Sequence, residues 1–281
     1  MISNLTTWNI DIQRNNEELM DNFLSFSQKI NSNFILNLNK KNYCFIEKII
    51  YDTVYFHSKR MNIDLTNKSI TFWSKRSPYN FDYIHMHKDH CDYESRVFNT
   101  EIKKPLFTSL IYFSDNSSPT IITEINSTTN LNNYKLLKSK IGISFPKKYK
   151  NICFDSGNYY HGEGYLSDNI NKERKVLVIA LWDTNNTPSY VPYFSSELFY
   201  YYMFNEYERL INENEMNEFT KDNSIINFNN IDNNMVTIRY SGIEENFFET
   251  LLIKKEKKVL YKFFDLLKQF INLDTFIIEL V

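Results

Sequence analysis

The sequence predicts a mainly β fold with flanking helices, an α+β chain whose strands form a sandwich or a barrel. Between residues 50 and 182, short runs rich in β-branched and aromatic residues alternate with turn signals, a pattern typical of such domains. On either side of this region, apolar residues recur at helical spacing. A hydrophobic content of 42% over 281 residues is enough to form a substantial core.

The first predicted element is a helix over residues 15–31 that covers one side of a sheet. Its apolar stripe consists of Leu19, Phe23, Phe26 and Ile30. A series of short runs with the composition of strands follows. In chain order these runs are IIYDTVYFH, SITFWSK, FDYIHMH, LFTSLIYFS, PTIITEI, KIGISFP, NICFDSG and KVLVIALWD.

The pattern changes after Asp183. Residues 195–219 and 254–273 carry apolar residues at helical spacing, and the segment between them is polar and rich in asparagine. We therefore expect a core with an N-terminal helical cover over residues 1–185 and a mainly helical C-terminal extension over residues 186–281.

Composition and charge argue against nucleic acid and membranes as partners. With 32 basic and 34 acidic residues, the chain has no basic excess for nucleic acid. No apolar run reaches the ~18 residues that would span a membrane, and the N-terminus lacks the pattern of a secretory signal. The 3 cysteines are an odd number and are widely spread, so we expect the cytoplasm or another reducing compartment.

The densest chemical signal is the stretch DYIHMHKDHCDYE, residues 82–94, which holds three histidines and three aspartates. Along an extended strand, side chains two residues apart share a face. His85, His87 and Asp89 therefore point one way, and His90 and Asp92 point the other way. A His-x-Asp pair of this kind can bind one cation from a single strand.

A third ligand must come from elsewhere in the chain, and His161, in FDSGNYYHGEG, is the best placed candidate. Two histidines and one carboxylate on one face of an octahedron leave three positions open. This is the ligand set of non-haem Fe(II) oxygenases.

Two other interpretations fit part of the pattern. HMHKDH also matches His-x-His-x-Asp-His, the motif of the metallo-β-lactamase hydrolases, which bind two zinc ions. That family has glycines after the motif and a later histidine, whereas this chain has 5 glycines and no histidine after His161. The second interpretation is a β-sandwich scaffold without metal or catalysis, in which these histidines are ordinary polar residues.

Residues from about 69 to 183 resemble the 2-oxoglutarate and Fe(II)-dependent dioxygenases of the prolyl-hydroxylase type. The motifs occur in the family's order: ITFWSK, HKDHCDYE, KKPLFTSLIYFSDNSSPTIITEI, ISFPKKYKNICFDSGNYYHGEG and ERKVLVIALWD. The resemblance implies a double-stranded β-helix, or jelly-roll, core. The overall composition also resembles dioxygenase-like proteins of large DNA viruses and AT-rich protists.

The resemblance implies roles for four residues. His87, Asp89 and His161 would be the catalytic metal ligands, and Arg174 would bind the far carboxylate of 2-oxoglutarate. A guanidinium suits that task because its planar fork matches a carboxylate and stays charged.

The chain departs from the family pattern at Val176, where a serine usually provides a hydrogen bond to the cosubstrate. Tyr112 is a candidate for the missing bond, and we count it as a possible cosubstrate-binding residue. The register of the first ligand pair is also open, because His85, or His90 with Asp92, competes with His87 and Asp89.

The implied cofactors are Fe(II), 2-oxoglutarate as cosubstrate and O₂, with ascorbate as a further candidate. The implied reaction hydroxylates a substrate and releases succinate and CO₂. The sequence does not identify the substrate, although a protein side chain is slightly favoured over a small molecule. It does not predict the oligomeric state either.

Overall fold

The computed structural model describes residues 5–13, 16–30, 33–77, 86–90, 102–115, 118–123, 140–164, 173–207, 219–230, 235–240, 267, 269–270 and 273–280. The helices in these ranges are α1 (Glu17–Lys29), α2 (Phe45–Arg60) and α3 (Ser196–Tyr207), and a 3₁₀ turn spans Thr184–Asn186. The strands up to the site are β1 (Thr6–Ile12), β2 (Phe34–Leu36), β3 (Asn42–Tyr43), β4 (Lys68–Ser77), β5 (Phe107–Tyr112), β6 (Thr120–Thr123), β7 (Lys140–Ser144), β8 (Lys150–Phe154) and β9 (His161–Glu163). The remaining strands are β10 (Arg174–Asp183), β11 (Phe219–Thr220), β12 (Ile226–Asn230), β13 (Val236–Tyr240) and β14 (Thr275–Leu280).

Most of these strands form two sheets. In the described residues the larger sheet has the order β12-β1-β8-β5-β10-β4-β2, and the smaller has the order β13-β14-β7-β6-β9. A short ladder joins β3 to β11. From β4 to β10 the chain passes repeatedly between the two sheets, which is the winding of a jelly roll. The mainly β prediction is confirmed, and this winding fits the predicted jelly-roll core.

Strand β10 shows how the layers are built, because its side chains alternate between two cores. Leu177 and Ile179 point to the face that packs against the helices. Val176 and Val178 point into the space between the sheets, where they meet Ile122 of the smaller sheet. Burial of each of these side chains stabilises the fold by roughly 1.5–3 kcal/mol. The helices therefore cover one face of the large sheet, and the small sheet covers the other.

The predicted N-terminal helix is α1. The side chain of Asn16 caps its first turn by accepting a hydrogen bond from the Leu19 N–H, at 3.1 Å. The run IIYDTVYFH, residues 49–57, was expected to be a strand, and this prediction is wrong because the run lies inside α2. Ile46, Ile49, Ile50 and Val54 share the buried stripe of that helix, a spacing that fits 3.6 residues per turn.

The described residues do not show a mainly helical C-terminal extension. Helix α3 occupies part of the predicted segment 195–219, but β12, β13 and β14 are strands. β12 pairs with β1 in the large sheet, and β14 pairs with β7 in the small sheet. The expected boundary near residue 185 is therefore no break in the sheets. Most of the predicted helix 254–273 lies outside the described residues.

Two smaller observations concern membrane spans and cysteines. In the part of the chain that the structure describes, no helix is long and apolar enough to cross a membrane. Cys44 and Cys153 are buried free thiols, and Cys91 lies outside the described residues.

A buried polar network connects α2 to the strands that carry the site. His57 Nε2 lies 2.7 Å from Asn151 Oδ1, and the Asn151 amide donates to Ser109 Oγ at 2.6 Å and to the Leu110 carbonyl at 3.0 Å. Because the Asn151 oxygen accepts, the proton of His57 is on Nε2. Burial, together with Arg60, lowers the pKa of His57 to about 3, against the bond to Asn151. His57 is therefore neutral in the folded protein.

This neutral histidine should make stability fall in mild acid. The unfolded chain takes up a proton on His57 near pH 6.5 and the folded chain does not. The destabilising effect of His57 is therefore absent above that pH. As the pH falls from 6.5 towards 3, the free energy of unfolding should drop by up to about 1.4 kcal/mol per pH unit. Urea unfolding at pH 7, 6 and 5 should show a flatter pH dependence for His57→Gln than for the wild type. Equal slopes would contradict this assignment.

Candidate metal centre

His87 and His161 form an isolated antiparallel β-bridge. The His87 N–H donates to the His161 carbonyl at 2.9 Å, and the His161 N–H donates to the His87 carbonyl at 2.8 Å. Two residues further on, the Asp89 N–H donates to the Ser156 carbonyl at 3.0 Å. His87 and Asp89 share the cavity side, while the buried Lys88 between them turns away, with its ammonium 4.5 Å from the centre of the Tyr160 ring. The alternation predicted from the sequence is therefore present.

The structure brings the three predicted ligands together. Asp89 Oδ1 lies 3.5 Å from His161 Nε2 and 3.7 Å from His87 Nε2, and the candidate ligand atoms all lie within 4.8 Å of one another. Ligand atoms about 2.1 Å from a metal and at right angles to each other lie about 3 Å apart. Small side-chain movements would therefore let all three bind one ion, and two imidazoles with one carboxylate suit Fe(II).

Hydrogen bonds to the side chains of Asp89 and His161 orient the atoms that would bind a metal. Thr108 Oγ1 donates to Asp89 Oδ2 at 3.0 Å, and it accepts in turn from Ser156 Oγ at 2.6 Å. His161 Nδ1 lies 3.2 Å from the Tyr159 carbonyl, which can only accept, so the proton is on Nδ1. When the imidazole is neutral, His161 Nε2 carries the lone pair that a metal would bind, and when it is protonated the same nitrogen faces Asp89 Oδ1 as a donor, at 3.5 Å.

The charge state of Asp89 suits a metal ligand. Burial on its own would raise the pKa of this carboxyl, but His161, by charge and hydrogen bonding, and His87 hold the pKa below its usual range. The carboxylate is therefore ionised at physiological pH, as metal binding requires.

Arg174, the predicted carboxylate-binding residue, is buried and held in place. Its Nε donates to the Ser118 carbonyl at 3.1 Å, and its Nη2 donates to Thr120 Oγ1 at 2.8 Å. Nη1 lies 3.8 Å from Glu163 Oε2. These contacts fix the guanidinium on two sides and leave Nη1 beside a carboxylate.

One cavity of about 130 Å³ contains both the predicted ligands and Arg174. Its wall is formed by Trp73, Lys75, His87, Asp89, Thr108, Leu110, Thr120, His161, Gly162, Glu163, Arg174, Val176 and Val178. Arg174, Val176 and Val178 reach it because they alternate along β10. A larger, open groove of about 690 Å³ lies between α2 and β12, and the candidate metal cluster of the described residues is not part of it.

The other predicted site residues have different outcomes. Tyr112 lies behind Arg174, with its hydroxyl 2.6 Å from Thr120 Oγ1, and it is not part of the cavity wall in the described residues. Its direct contact with a cosubstrate stays a prediction. His90 is partly buried and does not belong to the described cluster. His85 and Asp92 lie outside the described residues, so the competing registers are only partly visible.

Several residues of the cavity were not predicted from the sequence. Lys75 and Trp73 reach it because they pair across β4 and β10 with Val176 and Val178, on the same face of the sheet. Strand alternation in SITFWSK could have indicated that these two side chains share a face. Glu163 follows His161 by two residues on β9, so the same rule could have placed it in the site.

Comparison with known proteins gives structural similarity at low TM-scores only. No protein-family model and no curated protein matches the sequence. The chain is similar to the solved structure of a prolyl-4-hydroxylase from Pseudomonas putida, with 8% identity over 64% of this chain and 88% of that chain and a TM-score of 0.40. It is also similar to iron-bound HygX from Streptomyces hygroscopicus (10% identity, 68% and 85% of the chains, TM-score 0.31) and to an oxidoreductase of the 2OG-Fe(II) oxygenase family from Burkholderia pseudomallei (10%, 66% and 87%, 0.32). At TM-scores below 0.5, these likenesses by themselves assign neither family nor activity.

The three candidate ligands should bind a single divalent cation. Replacing His87, Asp89 or His161 with Ala should abolish this binding, because the two remaining protein ligands would coordinate the ion too weakly. Thr108→Val should weaken it by about 10–100-fold, because the hydrogen bond that orients Asp89 is lost. Calorimetric titration of metal-free protein with Mn²⁺ or Co²⁺ would measure both effects.

His90→Ala is the matched control, because it removes a neighbouring imidazole outside the cluster. It should keep most of the metal affinity. Two tightly bound zinc ions per chain that are lost in His90→Ala would contradict the single site and favour the di-zinc hydrolase interpretation.

Proposed function

We propose that this protein is an Fe(II)- and 2-oxoglutarate-dependent oxygenase that hydroxylates a carbon of its substrate. The observation that carries the proposal is one small cavity with His87, Asp89 and His161 in its wall together with a buried, oriented Arg174. Three protein ligands leave open positions on a metal, and a guanidinium within the same cavity suits the far carboxylate of a chelating cosubstrate.

The charges around the cavity support a dianionic ligand. Lys75 and Arg174 carry two positive charges, and Asp89 and Glu163 carry two negative charges. A divalent cation adds two positive charges that these side chains do not balance. Because buried charge is costly unless it is compensated, a ligand with two carboxylates would restore neutrality.

In the proposed reaction the protein binds the metal, orients the cosubstrate and excludes water from the centre. His87, Asp89 and His161 would hold Fe(II), and Arg174, fixed by Thr120, would orient the cosubstrate. Fe(II) bound there would supply O₂ activation, coupling the decarboxylation of 2-oxoglutarate to hydroxylation of a substrate C–H bond. One oxygen atom would enter the substrate as hydroxyl and the other would enter succinate, with CO₂ as the further product. The apolar side chains of Val176 and Val178 in the cavity wall would limit access of water to the centre.

The size of the cavity bears on the substrate. At about 130 Å³ it is smaller than the roughly 300–1,000 Å³ of sites that enclose drug-sized ligands. With a cosubstrate inside, little space is left for a second molecule. The substrate would therefore present a single group at the mouth, which favours a side chain of a protein or peptide over an enclosed small molecule.

The proposal predicts that the wild-type protein binds 2-oxoglutarate when a redox-inert divalent cation such as Zn²⁺ or Mn²⁺ is present. Arg174→Ala should weaken this binding by roughly 2–5 kcal/mol, because the buried carboxylate loses its charged partner. Isothermal titration calorimetry would measure the change. Arg76→Ala is the control, since Arg76 pairs instead with Glu173, at 2.7 Å, outside the cavity wall. Absence of 2-oxoglutarate binding to the wild type would overturn the proposal.

The substrate can be sought through the common product. Succinate release should rise when peptide libraries or cell extract fractions are added to protein with Fe(II), 2-oxoglutarate, O₂ and ascorbate. The Asp89→Ala variant should release no more succinate than a protein-free control, because it cannot hold the metal.

A further inference from the structure

A carboxylate of the protein itself lies at the site proposed for the carboxylate of the ligand. Glu163 Oε2 is 3.8 Å from Arg174 Nη1 and 3.6 Å from Lys75 Nζ. Glu163 is buried, at 7% exposure, and it lines the same cavity as both cations. Both distances exceed the roughly 2.7–2.9 Å of a direct charge-assisted hydrogen bond. Glu163 is therefore attracted to both cations without being tightly bonded to either.

The backbone explains why this carboxylate is there. His161 and Glu163 are two residues apart on β9, so both side chains point into the cavity. Ser118 and Thr120 engage two other nitrogens of Arg174, which leaves Nη1 as the nitrogen beside Glu163. A ligand carboxylate that approached this guanidinium from the cavity would meet Glu163 at the same place.

Lys75 offers Glu163 a second position. Its side chain is 41% exposed, which leaves it room to move, while Arg174 is fixed and 4% exposed. Lys75 and Arg174 lie on the neighbouring strands β4 and β10. Glu163 can therefore move away from Arg174 and keep a positively charged partner, which limits the cost of leaving a buried charge.

We propose that Glu163 is an internal competitor for the carboxylate site at Arg174 and that Lys75 receives it when a ligand carboxylate binds. This inference rests on the proposed function for the identity of the natural ligand. Because Glu163 competes, the site would bind dicarboxylates more weakly than Lys75 and Arg174 would without it. Glu163 would then set the cosubstrate concentration at which the cavity fills.

Glu163→Gln tests the inference because it removes the charge and keeps the shape. The variant should bind glutarate about ten-fold more tightly than the wild type, a change of about 1.4 kcal/mol. Glutarate has the two carboxylates of 2-oxoglutarate but no keto group, so it is measured by calorimetry on protein treated with a chelator, without metal. A gain of affinity is not expected from a variant that only disturbs the fold.

Glu173→Gln is the matched control for net charge. Glu173 adjoins Arg174 in sequence but pairs with Arg76, and it should leave glutarate affinity unchanged. Lys75→Gln is a second, independent variant. It should weaken glutarate binding several-fold. Of the two cations, only Arg174 would then remain for Glu163, so Glu163 would compete more strongly with the ligand there.

The outcomes separate this inference from the proposed function. Equal or weaker glutarate binding by Glu163→Gln, or unchanged binding by Lys75→Gln, would overturn the inference even if the wild type binds 2-oxoglutarate with metal. The inference would be supported if Glu163→Gln bound glutarate more tightly, Glu173→Gln bound it unchanged and Lys75→Gln bound it more weakly. Failure of the wild type to bind 2-oxoglutarate with metal would overturn the proposed function and leave the result for the carboxylate site standing.

Discussion

The carboxylate of Asp89, whose side chain is only 10% exposed, is the constraint on which the site depends. A carboxylate removed from water must be compensated on each oxygen, or it destabilises the fold. Thr108 of β5 satisfies Oδ2, while His87 and His161 face Oδ1. The Ser156 carbonyl fixes the backbone of Asp89. Strands from both sheets therefore converge on one charged group, and their packing and the geometry of the site are coupled.

Much of the site could be predicted from the sequence because strand alternation is a local rule. It indicated that His87 and Asp89 share a face, the search for a third ligand led to His161, and the resemblance to a known family added Arg174. Local rules do not say which strands become neighbours. The contact between Glu163 and its two cations arises from β9 in one sheet and from β4 and β10 in the other, and such a meeting is set only by the tertiary fold.

The errors in the fold prediction have the same origin. The run 49–57 is rich in β-branched and aromatic residues, which favours a strand, but its buried face follows helical spacing in α2. Residues 226–230 are polar and rich in asparagine, yet pairing with β1 makes them a strand. β propensity depends strongly on neighbouring strands, so a segment that completes a sheet can have weak local signals. The central strands, whose apolar runs are buried on both faces, were the easiest to predict.

The most direct test of the account is where a metal and a dicarboxylate lie in crystals of the protein grown with Mn²⁺ and 2-oxoglutarate. The account predicts one anomalous scattering peak per chain, about 2.1 Å from atoms of His87, Asp89 and His161. It also predicts a ligand carboxylate on the guanidinium of Arg174, with Glu163 moved towards Lys75. A metal bound away from the three ligands, two metals per chain, or a dicarboxylate bound away from Arg174 would contradict it.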